Sequence, residues 1–324
     1  MKHILSIPSY HEALLEYESC KDLENSYKQL GCDGLEMIRC DEDVRGIITE
    51  EMVTGLHMIF YPEWLDFWLQ DEKALLYEFG EPAVWESFYQ GKTFDTVIKQ
   101  FEADLQFAVK MKAEYVVFHV SDVTINGVFT HQHKHSDEEV IDAAATIINK
   151  LLDGKNYAFD FLMENLWWPG LTMTDPEKTK RLLDKVNYPK KGIMLDVGHL
   201  LCANMELENQ EEACQYLHAI LDAHDRVDPS LCKSIRGIHL HQSISGQYAK
   251  KMLASPPVLR HGYYERFAQV YELLGSIDTH MPWETIEIRK VIERIKPRFL
   301  VHELLAKNRE HREILLKQQM SVCE

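Results

Sequence analysis

The 324-residue chain has no C-x-x-C pair and no apolar run approaching the ~20 residues needed to span a bilayer. Its seven cysteines (20, 32, 40, 202, 214, 232 and 323) are odd in number and scattered. That pattern argues against a disulfide framework or a thiolate metal site and fits reduced thiols. The first residues, MKHILSIPSY, place a proline after a short apolar stretch and offer no A-x-A-like cleavage site. A secretory leader is therefore not expected, and a cytoplasmic location is. Positive charge is scarce: 35 Lys and Arg stand against 52 Asp and Glu, a net charge of −17. Binding to phosphate backbones draws on Lys and Arg displacing counterions, so neither nucleic acid nor a membrane is an expected partner. Low-complexity tracts and obvious linkers are missing too, so residues 1–324 read as one domain.

What the chain does contain is a repeating phrase. Eight short apolar runs occur at 3–8, 34–38, 55–60, 115–120, 160–165, 192–197, 235–242 and 299–304. Most are separated by segments of helical period. SDEEVIDAAATIINKLLDG opens with Ser136 three residues ahead of Glu139, a capping box, and DPEKTKRLLDKV starts with Asp175 as cap and Pro176 at the first helical position. Continuous apolar strands alternating with helices imply parallel strands covered by helices, and eight of them close most simply as an α/β (β/α)8 TIM barrel. Two segments exceed ordinary connections. Residues 61–92 carry three tryptophans after the third strand, and residues 243–262 follow the seventh. Both are expected at the C-terminal mouth of the barrel, as a helical wall or lid over the site or as accessory helices packed on the rim.

The strand ends carry the chemistry. Side chains at i and i+2 share a face of a strand. Glu164 pairs in this way with Leu162, Asp196 with Met194, His239 with Gly237, Glu303 with Val301, His57 with Gly55 and His119 with Val117. Six of eight strands thus end in Glu, Asp or His converging on one axis. A single such residue would be read as a buried polar group held by a neighbour. Three carboxylates in one pocket cannot all stay ionised without a counter-charge, which a divalent cation supplies. Carboxylates with imidazole suit Mn²⁺ or Zn²⁺, with Mg²⁺ or Fe²⁺ also compatible.

The series E-N at 164–165, D-V-G-H at 196–199, H-L-H-Q at 239–242 and H-E at 302–303 resembles the xylose isomerase-like TIM barrels, a superfamily holding sugar isomerases and epimerases as well as endonuclease IV. The resemblance covers essentially the whole barrel. It implies that Glu164, Asp196, His239 and Glu303 hold a central metal, with Glu164 and Glu303 as the catalytic pair. His199 would contact substrate in the isomerases or hold a further zinc in the endonuclease. His57 and His119 fall where the endonuclease binds a second zinc with a bridging glutamate, here Glu164. Its third zinc uses an Asp-Arg-His triplet, for which this chain offers Leu259-Arg260-His261, making His261 a possible further ligand without the aspartate. Two positions where sugar 3-epimerases carry Glu and Arg are Gly170 and Ser245 here. Trp167, Trp168, His241 and Glu36 are candidate substrate contacts, although Glu36 equally suits a buried partner for a basic residue and one of the tryptophans is expected in packing.

Two reactions follow from the resemblance. The first is metal-dependent isomerisation or epimerisation of a sugar or sugar phosphate through a metal-stabilised enediolate, with Glu164 and Glu303 exchanging protons on opposite faces. It needs the fewest ligands and is the leading expectation. The second is hydrolysis of a small phosphodiester or nucleotide-containing substrate at a multi-zinc site. A sugar-binding barrel without catalysis is the third and weakest reading.

Overall fold

The computed structural model describes residues 1–40, 43 and 45–323. Eight parallel strands form a closed barrel in chain order. They are β1 (Lys2–Pro8), β2 (Gly34–Ile38), β3 (Val53–His57), β4 (Tyr115–His119), β5 (Asp160–Glu164), β6 (Lys191–Asp196), β7 (Ile235–Leu240) and β8 (Phe299–His302). Each contains at least half of one apolar run, and β8 closes on β1 with Ile4 opposite Val301. The expected (β/α)8 architecture is the one observed.

The barrel interior is filled below its mouth by Ile4, Tyr115, Val117, Leu162, Met194, Phe299 and Val301, all at most 1% exposed. Filling by bulky side chains makes the interior a packed plug rather than a pore. The polar strand ends sit above it because each lies two residues further along the same inward-facing row.

Local sequence sets the covering helices. Ser136 accepts from the Glu139 amide and Glu139 reaches back to the Ser136 amide, so the capping box forms and starts helix Asp137–Leu152. Asp175 caps helix Pro176–Lys185. No helix among the described residues is long and apolar enough to cross a membrane.

The tryptophan-rich segment after β3 forms three short helices, Leu65–Leu69, Glu72–Phe79 and Pro82–Phe88. Asp122, on the loop after β4, accepts from the Trp64 and Leu65 amides and pins the segment's start to the barrel rim. The connection after β7 is longer than the sequence suggests: helix Gly246–Ala254 is followed by helix Tyr263–Leu274, which reaches over the mouth instead of covering a strand. Its Tyr263 hydroxyl donates to buried Glu63 at 2.5 Å, joining the two long connections. The helix packed before β8 is Ile288–Ile295, with Ile288, Val291, Ile292 and Ile295 buried.

Candidate metal centre

β5 delivers Glu164 to the middle of the mouth, where it is 1% exposed. Its two oxygens face different ways. Oε2 lies 3.3 Å from His57 Nε2 and 3.2 Å from His119 Nε2, and these two nitrogens are 3.0 Å apart. Oε1 lies 3.2 Å from His239 Nδ1, which is also 3.0 Å from Glu303 Oε2 and 3.6 Å from Asp196 Oδ2. One carboxylate therefore stands between two groups of donors.

A third group lies on the other side of Asp196. His199 Nε2 is 3.2 Å, and His280 Nε2 2.7 Å, from Asp278 Oδ2. Asp278 and His280 come from the segment between helices Tyr263–Leu274 and Ile288–Ile295, which a short antiparallel bridge between Gln242 and Met281 ties to the end of β7. The Ser243 hydroxyl accepts from the Thr279 amide at 2.9 Å and donates to Asp278 Oδ1 at 2.7 Å. Sequence reasoning misses this Asp-x-His element and offers His261 in its stead. His261 lies on an exposed stretch before helix Tyr263–Leu274 and belongs to none of the groups able to hold a metal among the described residues.

The hydrogen bonds behind the histidines fix which nitrogen is free. A carbonyl only accepts, so the ring nitrogen facing it carries the proton. His57 Nδ1 donates to Met58 O at 3.0 Å, His199 Nδ1 to Asn165 O at 2.9 Å and His280 Nδ1 to Glu303 O at 3.0 Å. In each neutral ring the bare Nε2 then points at a carboxylate. His239 is reversed: Nε2 donates to Glu36 at 3.1 Å, leaving Nδ1 for Glu164, Asp196 and Glu303. Lone pairs aimed at lone pairs repel, and buried Glu164 Oε2 has no hydrogen-bond partner. A cation at each convergence resolves both problems, and the second hydrogen bond on each histidine is the arrangement metal sites use to orient imidazoles. The residues fit divalent metals with N and O ligands.

In the protein without cations, the carboxylates favour protons on His57, His199, His239 and His280, while burial disfavours one on His119. Burial works to deprotonate these rings, but the Glu164 carboxylate 3.3 Å away, with the charges of Glu36 and Glu303, holds His57 at about 9. Against the same penalty Asp278 holds His280 at about 9. Burial also penalises the Glu164 carboxylate, yet His119 and His239 keep it well below its ordinary range. A raised imidazole pKa adds stability that is complete below the unfolded value of ~6.5 and lost as pH rises through the folded value. The unfolding midpoint of chelator-treated protein is therefore expected to fall between about pH 6.5 and the folded value of about 9, and that of zinc-loaded protein to fall much less. Parallel melting series test this; equal declines would contradict it.

The remaining candidates divide. Trp167 and Trp168 both line the cavity above the ligands, their rings 4.2 Å apart, and Trp167 lies 5.2 Å from the His199 ring. His241, expected to touch substrate, and Glu36, expected either to do so or to partner a buried basic residue, do not line that cavity. Glu36 is fully buried beneath His239 and accepts from the Tyr115 hydroxyl at 2.8 Å, which makes it the buried partner of a basic group. His241 is fully buried behind Asp196, its Nε2 3.0 Å from Oδ2, and stacks 3.8 Å from the His280 ring. Gly198 makes this possible, since a Cβ there would come within 1.9 Å of the His241 ring. Replacing Glu36 by Leu removes the acceptor that sets the His239 tautomer and is expected to weaken the central site about 10–100-fold for metal. A zinc titration of the variant checks this; unchanged affinity would make Glu36 purely a packing group.

Asp196 has a further task. Its backbone is held by Asn165 through two 2.9 Å bonds, and its Oδ1 accepts from the His199 amide at 2.6 Å, capping helix Val197–Cys202. The D-V-G-H phrase thus turns the chain so that His199 follows Asp196 into the site.

This barrel with its ring of carboxylates and histidines belongs to the xylose isomerase-like TIM barrel family, whose model matches residues 26–303. Among solved structures the chain is similar to endonuclease IV from Thermus thermophilus, at 15% identity and a TM-score of 0.52, covering 99% of this chain and 98% of that one. It is similar to the IOLI protein with a bound zinc atom at 15% identity and a TM-score of 0.54, over 100% and 95% of the two chains. A D-tagatose 3-epimerase-like protein matches at 14% identity and a TM-score of 0.51, over 100% and 98%. At these identities the likeness concerns the fold. No curated protein matches the chain.

Proposed function

We propose that the protein is a multinuclear divalent-metal phosphoesterase, acting on a small phosphodiester or nucleotide-containing substrate. The observation that carries this reading is the position of Glu164 between two donor groups, with Oε2 toward His57 and His119 and Oε1 toward His239. Cations bound there would supply Lewis acidity, an activated water at neutral pH and charge to offset a phosphoryl group.

The chain's own residues do the rest. Glu164 would serve the His57–His119 group and the central set, which Asp196, His239 and Glu303 would complete, and His199, Asp278 and His280 would hold the third cation. Hydrogen bonds to Met58, Asn165, Glu303 and Glu36 hold the imidazoles in the ligating tautomer before substrate arrives. The largely apolar walls above lower the local polarity around the ligands, which strengthens each electrostatic contact.

The isomerase reading draws its metal ligands from Glu164, Asp196, His239 and Glu303 alone, leaves His57 and His119 to hydrogen-bond substrate hydroxyls and gives Asp278 and His280 no task. Nor can the chain carry the epimerases' glutamate at 170. Gly170 has φ +130°, and a Cβ there would lie 2.3 Å from Val120 O.

The test is hydrolysis of bis(p-nitrophenyl) phosphate by zinc- and manganese-loaded protein, lost on chelation and regained with metal. Interconversion of a ketose and its epimer or aldose, without phosphodiester hydrolysis by either form, would overturn the proposal in favour of the isomerase.

A further inference from the structure

The cavity over the ligands has walls that do not suit a sugar. It encloses about 490 Å³, within the usual range for a small-molecule site. Its floor is Glu164, His57, His119, His199, Asp278, His280 and Glu303. One wall is helix Tyr263–Leu274, which presents Phe267, Val270, Tyr271 and Leu274 to the cavity. That spacing, i, i+3, i+4 and i+7, is the apolar stripe with which a helix ordinarily enters a core. Here it also borders a cavity floored by ionisable groups.

Two aromatic rings flank the floor. Phe60 lies 4.5 Å from the His119 ring and is 37% exposed, and Trp167 lies 5.2 Å from the His199 ring. Sugar hydroxyls need donors and acceptors along the walls, and a polynucleotide needs several cations. Among the described residues Arg312 is the one Lys or Arg on this wall, and its guanidinium is engaged by the Tyr17 hydroxyl at 2.8 Å and by Glu16 at 3.8 Å.

We infer that the cavity takes a phosphoester whose non-reacting part is a flat apolar or aromatic group, seated between Phe60, Trp167 and the stripe of helix Tyr263–Leu274. This rests on the phosphoesterase reading for the anionic end and adds the nature of the rest of the substrate. The helix is anchored for the task at its N-terminal end, by Tyr263 to Glu63 and by Arg266 to the carbonyl of Glu78, so its stripe keeps its place without help from a ligand.

Non-hydrolysable phosphonates separate the two ideas. Methyl-, phenyl- and 1-naphthylphosphonate carry the same anion with increasing apolar surface, and their binding to the zinc-loaded full chain can be measured by calorimetry. The naphthyl compound is expected to bind roughly ten- to hundredfold more tightly than the methyl compound, from the area its rings remove from water. In Val270→Asn and Leu274→Asn, each checked by its melting temperature, the ratio is expected to fall toward one. Equal affinity for the three compounds, binding of none, or a ratio unchanged in both folded variants would overturn the inference. Failure of the phosphoesterase reading would look different: the naphthyl preference would stand while bis(p-nitrophenyl) phosphate remained intact.

Discussion

Replacing Glu164 by Gln is expected to remove two equivalents of metal at once and to lower phosphodiester hydrolysis by at least about a thousandfold. The amide keeps the shape of the side chain but loses the charge and one of the two oxygens that face separate donor groups. Without it, His57 and His119 have only each other, and His239 is left with Asp196 and Glu303. The barrel itself is expected to survive, because the plug of Val117, Leu162, Met194 and Val301 lies below the mouth and the substitution adds no buried charge. Metal analysis alongside circular dichroism checks both halves. A folded variant that keeps all its metal would show that Glu164 does not bridge.

The second large effect concerns the pair of imidazoles that a single-metal isomerase would not need as ligands. A His57→Ala, His119→Ala double variant is expected to lose one equivalent, keep the central and third sites, and hydrolyse phosphodiesters about a hundred- to a thousandfold more slowly. Both rings sit at strand ends, and the cavity they leave opens to the pocket they already line, so solvent can fill it. The alternative has a distinct signature: a single equivalent in both proteins, with Glu164 and Glu303 still required for activity on a hydroxy-carbonyl sugar.

The sequence revealed most where the site is built on strands. Asp196, Glu164, His239, His57 and His119 stand out because each interrupts or ends an apolar run whose period fixes the face it occupies. Glu303 was legible for the same reason, although it lies one residue beyond the end of β8. Asp278 and His280 were hidden because no strand frames them. They lie on an irregular segment whose course is set by the Gln242–Met281 bridge and by Ser243, contacts between residues more than 30 apart. The remaining local signal, an Asp and a His two residues apart, is too common to single out. His261 drew attention instead by following an arginine in a loop of the right neighbourhood, and it is exposed.

Parity alone does not decide what meets the cavity. Glu36 shares the inward row with the strand-end residues but lies deeper along the barrel axis, whereas His241, just beyond the end of β7, is covered by Asp196 and His280. Glu36 pairs with Gly55, one inward row below His57, and so supports a ligand from beneath. Helix Tyr263–Leu274 shows the converse. Its amphipathic pattern was plain, yet a stripe of apolar residues does not say whether it faces a core or a cavity, and only the long connection after β7 carries it over the mouth.

The most direct test of the multinuclear site is metal content. Protein purified without chelator, equilibrated with zinc and freed of excess should contain three equivalents per chain, one for each donor group, falling to two in the His57→Ala, His119→Ala variant. A wild-type protein that holds a single equivalent, unchanged in that variant, would contradict it.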